Sequence, residues 1–275
     1  MPDNNPHHEA GGPAGALTLA MPWGELAYRR AGAGAPLVMI HSLALNGAMW
    51  QPILADFTAG HEVITVDMRG HGASRWDGGA FTVRDLAEDL CRLLDALAID
   101  TIDLLGLSMG GSVATCFAAA WPSRVRRLAL SDTTAWYGPE APQSWAKRAA
   151  SALDTPDRRD LLDFQLDRWF SAAFRASEPA TVAHIADIFV RTDPRAHAQA
   201  CRALGDLDER DRLGEITAKT LVITGEEDYA TPPNMGEALA QGIAGAEFRL
   251  WPGVRHLSPF ESGDLREALV NHLDQ

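Results

Sequence analysis

The sequence predicts an α/β protein in which a mostly parallel central sheet is flanked by helices and interrupted by a helical insertion. Short apolar runs alternate with helical patterns in both halves of the 275-residue chain, which is typical of a sheet covered on both faces. The alternation stops between residues 134 and 213, where helical patterns continue without strands. We therefore expect one core formed by residues 15–133 and 214–275, a helical cap over 134–213, and a disordered tail over 1–14.

Six apolar runs are the candidate strands of the parallel part. They cover residues 36–41, 61–67, 101–107, 125–132, 219–225 and 246–251. Before them, the segment TLAMPWGELAYRRAG predicts an antiparallel hairpin. Ligands of open α/β sheets bind where strands end, so we expect the chemistry at the carboxyl ends of these runs, beneath the cap.

Composition and charge exclude several classes of partner. The net charge of -13 and the absence of a Lys/Arg block argue against nucleic acid and anionic membranes as partners. The first residues have neither the basic nor the apolar region of a signal peptide, and no apolar run is long enough to span a bilayer. We expect a cytoplasmic protein with a small-molecule substrate, and nothing in the sequence indicates an oligomeric state.

Metals and cofactors are not expected either. The three cysteines are odd in number and widely spaced, which suggests neither a disulfide framework nor a zinc motif. The histidines show no metal-ligand spacing. The glycine-rich stretch VDMRGHGAS lacks the spacing of a phosphate-binding loop.

The stretch LLGLSMGGSVA places Ser108 between Gly106 and Gly110, directly after an apolar strand and before a small-residue helical segment. Gly-x-Ser-x-Gly between a strand and a helix is the pattern of a nucleophile elbow, in which a strained turn exposes the serine at the strand tip. An ordinary Gly/Ser turn is the alternative, and it is disfavoured by the strand and helix on either side. We therefore interpret Ser108 as a nucleophile.

A serine nucleophile needs a base and a carboxylate that orients the base, and in this kind of site they follow in the order Ser, Asp, His. Asp228 lies in the loop after the fifth candidate strand, where Thr231 and Pro232 are suited to begin the next helix. His256 lies in the loop after the last strand. Beyond it, Ser258-Pro-Phe-Glu261 has the pattern of a capping box. We predict that Asp228 and His256 complete a triad with Ser108.

Each assignment has rivals. The acid could instead be Glu226, Glu227 or Asp132, the last of which ends the preceding strand. His41 and His71 also lie near strand ends, but they precede the acid in the chain. The oxyanion of an acyl-transfer reaction also needs two N–H donors, and we assign the backbone of Met109, next to the nucleophile, and that of Leu43.

With these segments placed, the chain resembles the α/β-hydrolase superfamily, and within it the 3-oxoadipate enol-lactonases. The resemblance runs from about residue 22 to the end. It rests on the segments HSLALNGAMWQP, VDMRGHGAS, LLGLSMGGSVA, TTAWYGPEAPQSWAKR, RWFSAAFRASEP, ITGEEDYATPP and RHLSPFES. The resemblance implies an α/β-hydrolase fold with a helical cap, and a serine hydrolase of aromatic-compound catabolism that opens a carboxylate-bearing lactone.

The cap segments carry the implied substrate contacts. Arg148 is the candidate partner of the substrate carboxylate, although a solvated helix arginine is an equally good reading of that position. Trp145 and Trp169 are candidate pocket walls, and cap core is the other interpretation of both. The chain departs from the usual pattern of the family at His41, Ala44 and Asp132, where asparagine, glycine and asparagine are usual, and at Pro259-Phe260. We expect His41, Ser42 and Asp132 near the pocket, and the departures at His41 and Asp132 bear on the identity of the substrate.

Other functions fit the same residues. A carboxylesterase or amide hydrolase of this fold would use every predicted catalytic residue, and so would perhydrolase or haloperoxidase side activity. From another class, a ligand-binding receptor can be built on the same scaffold, although a complete set of Ser108, Asp228 and His256 argues for an enzyme.

Overall fold

The computed structural model describes residues 15–155 and 157–274, so the predicted tail over 1–14 lies outside the described residues. A single mixed sheet forms the centre of the described chain, with strand order β1-β2-β4-β3-β6-β7-β8-β9 and β5 paired to β2. Its nine strands are β1 (Leu17–Met21), β2 (Gly24–Gly32), β3 (Ala35–Ile40), β4 (His61–Asp67), β5 (Arg75–Trp76), β6 (Ile102–Leu107), β7 (Val125–Ser131), β8 (Lys219–Gly225) and β9 (Glu247–Trp251).

The strands predicted from apolar runs are confirmed within a residue or so at each end. The run from β4 through β3 and β6 to β9 is parallel throughout, and β3, β6, β7 and β8 are almost wholly buried, as sheet strands covered on both faces require. The predicted hairpin is also present, with β1 antiparallel to β2 and β2 antiparallel to β4. The short strand β5 gave no signal in the sequence, because only two residues pair with β2.

Helices flank this sheet and fill the long connection between β7 and β8. The α-helices of the described chain are α1 (Leu54–Thr58), α2 (Val83–Ala96), α3 (Met109–Ala120), α4 (Ala141–Asp154), α5 (Leu162–Trp169), α6 (Ala172–Ser177), α7 (Pro179–Arg191), α8 (Pro194–Gly205), α9 (Pro233–Gly242), α10 (Ser258–Glu261) and α11 (Gly263–Asp274). Short 3₁₀ helices cover Gly47–Ile53, Pro122–Arg124, Arg158–Leu161 and Arg210–Glu215. Among the described residues, none of the helices could cross a bilayer.

The helices α4 to α8 form the inserted segment, which we call the cap. Its two ends meet in a bridge between Trp136 and Asp208, and the N–H of Glu209 donates to the carbonyl of Ala135 at 3.0 Å. Because these contacts bring the ends of the insertion together, the sheet continues from β7 to its neighbour β8 as if the cap were absent. The cap therefore stands over the carboxyl ends of the strands without interrupting the sheet.

Candidate active site

Ser108 lies at the tip of β6, between the strand and α3. Its backbone has φ 58° and ψ -118°, a conformation that L-residues adopt at a cost. The surrounding backbone holds the turn in place: the N–H of Ser108 donates to the carbonyl of Ser131 at 3.0 Å, and the Thr133 hydroxyl donates to the carbonyl of Ser108 at 2.7 Å. The strand-turn-helix geometry that the motif predicts is thus present.

Two glycines make room for this turn. A Cβ at Gly110 would lie 2.2 Å from the carbonyl oxygen of Ile40, and a Cβ at Gly106 would lie 2.4 Å from the carbonyl oxygen of Gly110. Both distances are far below van der Waals contact with rigid backbone. The glycines of the motif are therefore required by the close approach of α3 to β3 and β6.

His256 connects Ser108 to Asp228. Its Nε2 lies 2.8 Å from the Ser108 hydroxyl oxygen, and its Nδ1 lies 2.8 Å from an oxygen of the Asp228 carboxylate. Since a carboxylate only accepts, the histidine carries its proton on Nδ1, and Nε2 is free to accept the proton of the serine. All three side chains are nearly buried, so their hydrogen bonds are little weakened by competing water.

The Asp228 carboxylate is held by its own loop. Backbone N–H groups of Ala230 and Thr231 donate to one oxygen at 2.7 and 3.1 Å, and the Thr231 hydroxyl donates to the other at 2.7 Å. Burial works to raise the pKa of Asp228, but His256 and the Thr231 donors outweigh it and lower that pKa below the usual value. The carboxyl therefore stays ionised at neutral pH.

The rival acids have other contacts. Glu226 accepts from the N–H of Gly253 at 3.2 Å, and Glu227 lies 3.4 Å from the guanidinium of Arg255. Asp132 is fully buried, where it accepts from the N–H of Gly225 at 2.9 Å and from the hydroxyl of Ser258 at 2.6 Å. Of the candidate acids, Asp228 is the one that contacts His256.

Two predicted helix caps do not form, because the hydroxyls assigned to them bond to carboxylates. The Ser258 hydroxyl bonds to Asp132 and does not cap α10, so the predicted capping box does not form. The Thr231 hydroxyl likewise serves Asp228, and α9 begins without a side-chain cap. In both cases a buried carboxylate, from a distant strand end for Ser258 and from the same loop for Thr231, accepts from the hydroxyl that the local pattern assigned to a helix end.

Burial and the nearby negative charge of Asp228 raise the pKa of Asp132 well above the usual value. The pKa values of the two carboxyls of this region are therefore shifted in opposite directions.

The predicted oxyanion donors are the backbone N–H groups of Met109 and Leu43. Met109 provides the first N–H of α3, which has no partner within the helix, and among the described residues neither this N–H nor that of Leu43 is hydrogen-bonded. Leu43 lines the same pocket as Ser108 and His256. Two backbone donors therefore remain available beside the serine.

A narrow pocket opens between Ser108 and the cap. Of the predicted substrate contacts, the structure brings four to its wall: Ser42, Trp145, Arg148 and Trp169. Sequence reasoning missed four others, Tyr137, Arg168, Ala230 and Thr231, although Arg168 directly precedes Trp169 in the motif RWF.

The two arginines give this pocket its charge. Among the described residues, neither Arg148 nor Arg168 has a carboxylate within ion-pair distance; Arg148 instead lies 3.4 Å from the Gln165 side-chain oxygen and 5.1 Å from the centre of the Trp145 ring. Burial lowers the pKa of both, that of Arg168 to about 10 with a contribution from the charge of Arg148. Both remain cationic at neutral pH.

Tyr137 adds a neutral donor to the pocket. Burial raises its pKa to about 12, and its ring packs edge-on against Trp145 with the ring centres 5.0 Å apart. The phenol therefore stays protonated.

His41 and Asp132 are not on the pocket wall, contrary to expectation. His41 is fully buried: its Nε2 accepts from the N–H of Met68 at 3.0 Å, and its Nδ1 donates to the carbonyl of Ser42 at 2.8 Å. Because both ring nitrogens are used by backbone, His41 fixes the shape of the Leu43 loop and has no atom left for a substrate. Asp132 is fully buried and takes four donors from neighbouring residues.

Comparison with known proteins gives the same fold. The family model for the alpha/beta hydrolase fold matches residues 35–263. A 3-oxoadipate enol-lactonase of Acinetobacter baylyi is 32% identical over 225 residues, which are 82% of this chain and 83% of the relative. A pimeloyl-[acyl-carrier protein] methyl ester esterase of Photobacterium profundum is 31% identical over 78% of this chain and 85% of its own length.

Among solved structures, the enol-lactonase from Burkholderia xenovorans LB400 has a TM-score of 0.87 and 35% identity, covering 94% of this chain and all of that one. The chain therefore belongs to the α/β-hydrolase family, as its sequence motifs predict. Its relatives include enzymes that differ in substrate. Family membership therefore defines the class of protein, and the substrate has to be inferred from the pocket.

Proposed function

We propose that this protein is a serine hydrolase that opens a small carboxylate-bearing lactone, 3-oxoadipate enol-lactone or a close analogue, in aromatic-compound catabolism. The observation that carries the proposal is the pair of cationic side chains, Arg148 and Arg168, without acidic partners in the pocket of Ser108. Partly buried charges that lack a counterion favour binding of one. The relatives named as enol-lactonases support the same substrate class.

Acylation uses the triad in its observed geometry. The hydroxyl of Ser108 attacks the lactone carbonyl carbon while Nε2 of His256, at 2.8 Å, takes the hydroxyl proton. The negative charge that develops on the carbonyl oxygen is stabilised by the N–H groups of Leu43 and Met109. Asp228 stabilises the imidazolium that forms.

Collapse of the tetrahedral intermediate breaks the ring C–O bond and leaves an acyl group on Ser108. In an enol-lactone the leaving oxygen departs as an enolate, which is less basic than an alkoxide. The His256 imidazolium gives up the proton taken from Ser108 as the enolate becomes the ketone, which returns the histidine to its neutral form and makes the step hard to reverse. Water, activated by His256, then attacks the acyl-enzyme and releases the carboxylic acid, which restores the serine. The net reaction adds one water to the lactone.

The two arginines supply the contact that an ordinary ester does not need. A free carboxylate on the substrate accepts charge-assisted hydrogen bonds from Arg148 and Arg168, and its binding relieves the repulsion between their like charges. An acidic protein with a net charge of -13 repels an anion at long range, so a local cation pair is needed to retain it.

The test is steady-state kinetics on 3-oxoadipate enol-lactone beside p-nitrophenyl acetate, with Arg148→Met and Arg168→Met as variants. Each loss of a charged hydrogen bond costs about 1.5–3 kcal/mol, so kcat/KM for the lactone should fall by roughly tenfold to a hundredfold. Turnover of the neutral ester should stay within about threefold of the wild-type value.

Arg202→Met is the matched control, because Arg202 is an exposed arginine on the cap helix α8 that does not line the pocket. Equal losses on both substrates would contradict a carboxylate-binding role. Ester or amide turnover with negligible lactone opening would replace the lactonase proposal with the esterase or amidase alternative.

A further inference from the structure

The end of α5 connects the substrate pocket to the loop that carries His256. This end places Arg168 and Trp169 on the pocket wall. The carbonyl of Trp169 accepts from the N–H of Leu257, the residue after His256, at 3.0 Å. On the other side of the histidine, the guanidinium of Arg255 donates to the Asp167 carboxylate at 2.9 Å. The segments on either side of His256 therefore both contact the cap.

Glu261 adds a second link between the same two segments. One oxygen of its carboxylate accepts from the N–H of Arg255 at 2.8 Å, and the other accepts from the N–H of Ser171 at 2.8 Å. Arg255 directly precedes His256, and Ser171 lies two residues after Trp169. A single side chain thus bridges the backbone of the histidine loop and the backbone of the cap.

Of the two polar side-chain links, the one made by Glu261 is the stronger on physical grounds. The Asp167 side chain is 51% exposed, and exposed ion pairs contribute little to stability. Glu261 is partly buried, and it satisfies two backbone N–H groups that have no other recorded partner among the described residues. Removing the carboxylate leaves both N–H donors unpaired. This costs free energy unless the two segments move so that water can accept from the donors.

We propose that Glu261 is a positioning residue that fixes the cap segment 167–171 and the histidine loop as one unit. Through this bridge, the distance between Nε2 of His256 and the Ser108 hydroxyl depends on the position of the cap segment that carries Arg168 and Trp169. The inference rests on the catalytic roles proposed above for Ser108 and His256. It assigns Glu261 no contact with the substrate.

Glu261→Gln is the direct test, because glutamine keeps the size of the side chain but presents a donor where one N–H needs an acceptor. Displacements of about 1 Å in a catalytic group cost up to about a hundredfold in rate. We therefore expect kcat on p-nitrophenyl acetate to fall between about tenfold and a hundredfold, with KM within about twofold. The second-order rate of fluorophosphonate labelling should fall by the same factor as kcat/KM.

Glu267→Gln is the matched control, since Glu267 is an exposed glutamate on α11 and has no recorded hydrogen bond; it should leave all three quantities unchanged. Ser171 provides a second pair of variants. Its φ of -61° suits proline, so Ser171→Pro removes the N–H that bonds Glu261, whereas Ser171→Ala keeps it and removes only the helix-capping hydroxyl. We expect kcat to fall in Ser171→Pro relative to Ser171→Ala.

A lowered melting temperature with unchanged kcat and labelling rate in Glu261→Gln would overturn the proposal and leave Glu261 a purely structural role. A raised KM with unchanged kcat would also overturn it, because the cap would then shape the pocket without affecting His256. Failure of this inference can be told apart from failure of the proposed function. Ester turnover that survives Ser108→Ala would contradict the catalytic role of the triad, whereas the Glu261→Gln results test only the positioning role.

Discussion

Two buried carboxyls, Asp132 and Asp228, lie in the same region of the molecule, and their pKa values are shifted in opposite directions. Asp228 faces an imidazole and three donors, so its pKa is lowered despite burial. Asp132 has four donors as well, but full burial and the charge of Asp228 raise its pKa. The contact with His256 therefore separates the pKa values of the two carboxyls, and Asp228 is the one placed to stabilise an imidazolium.

Asp132→Asn should alter the dependence of stability on pH. Because the pKa of Asp132 is raised in the folded state, the wild type loses stability as pH rises from the ordinary aspartate pKa of about 4 toward that raised value, whereas asparagine does not titrate. The melting temperature of the variant minus that of the wild type should therefore increase between about pH 4 and pH 8. Thermal unfolding followed by circular dichroism across that range measures it, and a difference independent of pH would contradict the raised pKa.

The sequence is informative about residues whose role depends on the local chain, and less so about those that act across it. Ser108 could be assigned because its motif, strand and helix are contiguous. Asp228 and His256 could be placed because their order along the chain and their loops agree. By contrast, Ser258 and Glu261 match a local capping pattern, and the structure engages them with Asp132, Arg255 and Ser171 instead. A pattern of neighbouring residues cannot predict contacts with residues as far along the chain as Asp132 and Ser171.

At the scale of elements, the turn between β6 and α3 is the most constrained part of the site. The helix begins one residue after Ser108, and its first turn lies directly against the end of β3. The strands and this helix were predictable because apolar runs bounded by glycines define them. The strand β5 was not predictable, since two-residue pairing leaves no periodicity, and the short cap helices α5 and α6 leave weak periodicity as well.

Gly110→Ala should destabilise the fold and disorder the elbow. The new Cβ would lie 2.2 Å from the backbone oxygen of Ile40, which cannot move without displacing β3. Overpacking of this kind costs about 3 kcal/mol or more, measured as the free energy of unfolding in urea. Gly214→Ala is the control, since nothing lies within 4 Å of its added Cβ and its stability should change by no more than about 1 kcal/mol. Wild-type stability in Gly110→Ala would contradict the close packing of α3 on β3.

At the scale of the whole molecule, the core carries the predicted triad and the cap carries the two cationic side chains of the pocket. The core strands β6 and β8 present Ser108 and Asp228, and the loop after β9 presents His256. The cap contributes Arg148, Arg168 and the two tryptophans. We therefore propose that the core determines the reaction class and that the cap selects the substrate, as in a family whose members share a fold and differ in substrate.

The central claim is that Ser108 is an activated nucleophile, and labelling with a fluorophosphonate tests it most directly. The purified protein is incubated with the probe, its intact mass is measured, and the modified peptide is mapped, with Ser108→Ala treated in parallel. We expect one adduct per chain on Ser108 and none in the variant, because only a serine paired with His256 and flanked by oxyanion donors reacts rapidly. A folded wild-type protein that forms no adduct, or equal labelling of Ser108→Ala, would contradict the catalytic assignment and favour a ligand-binding role for this scaffold.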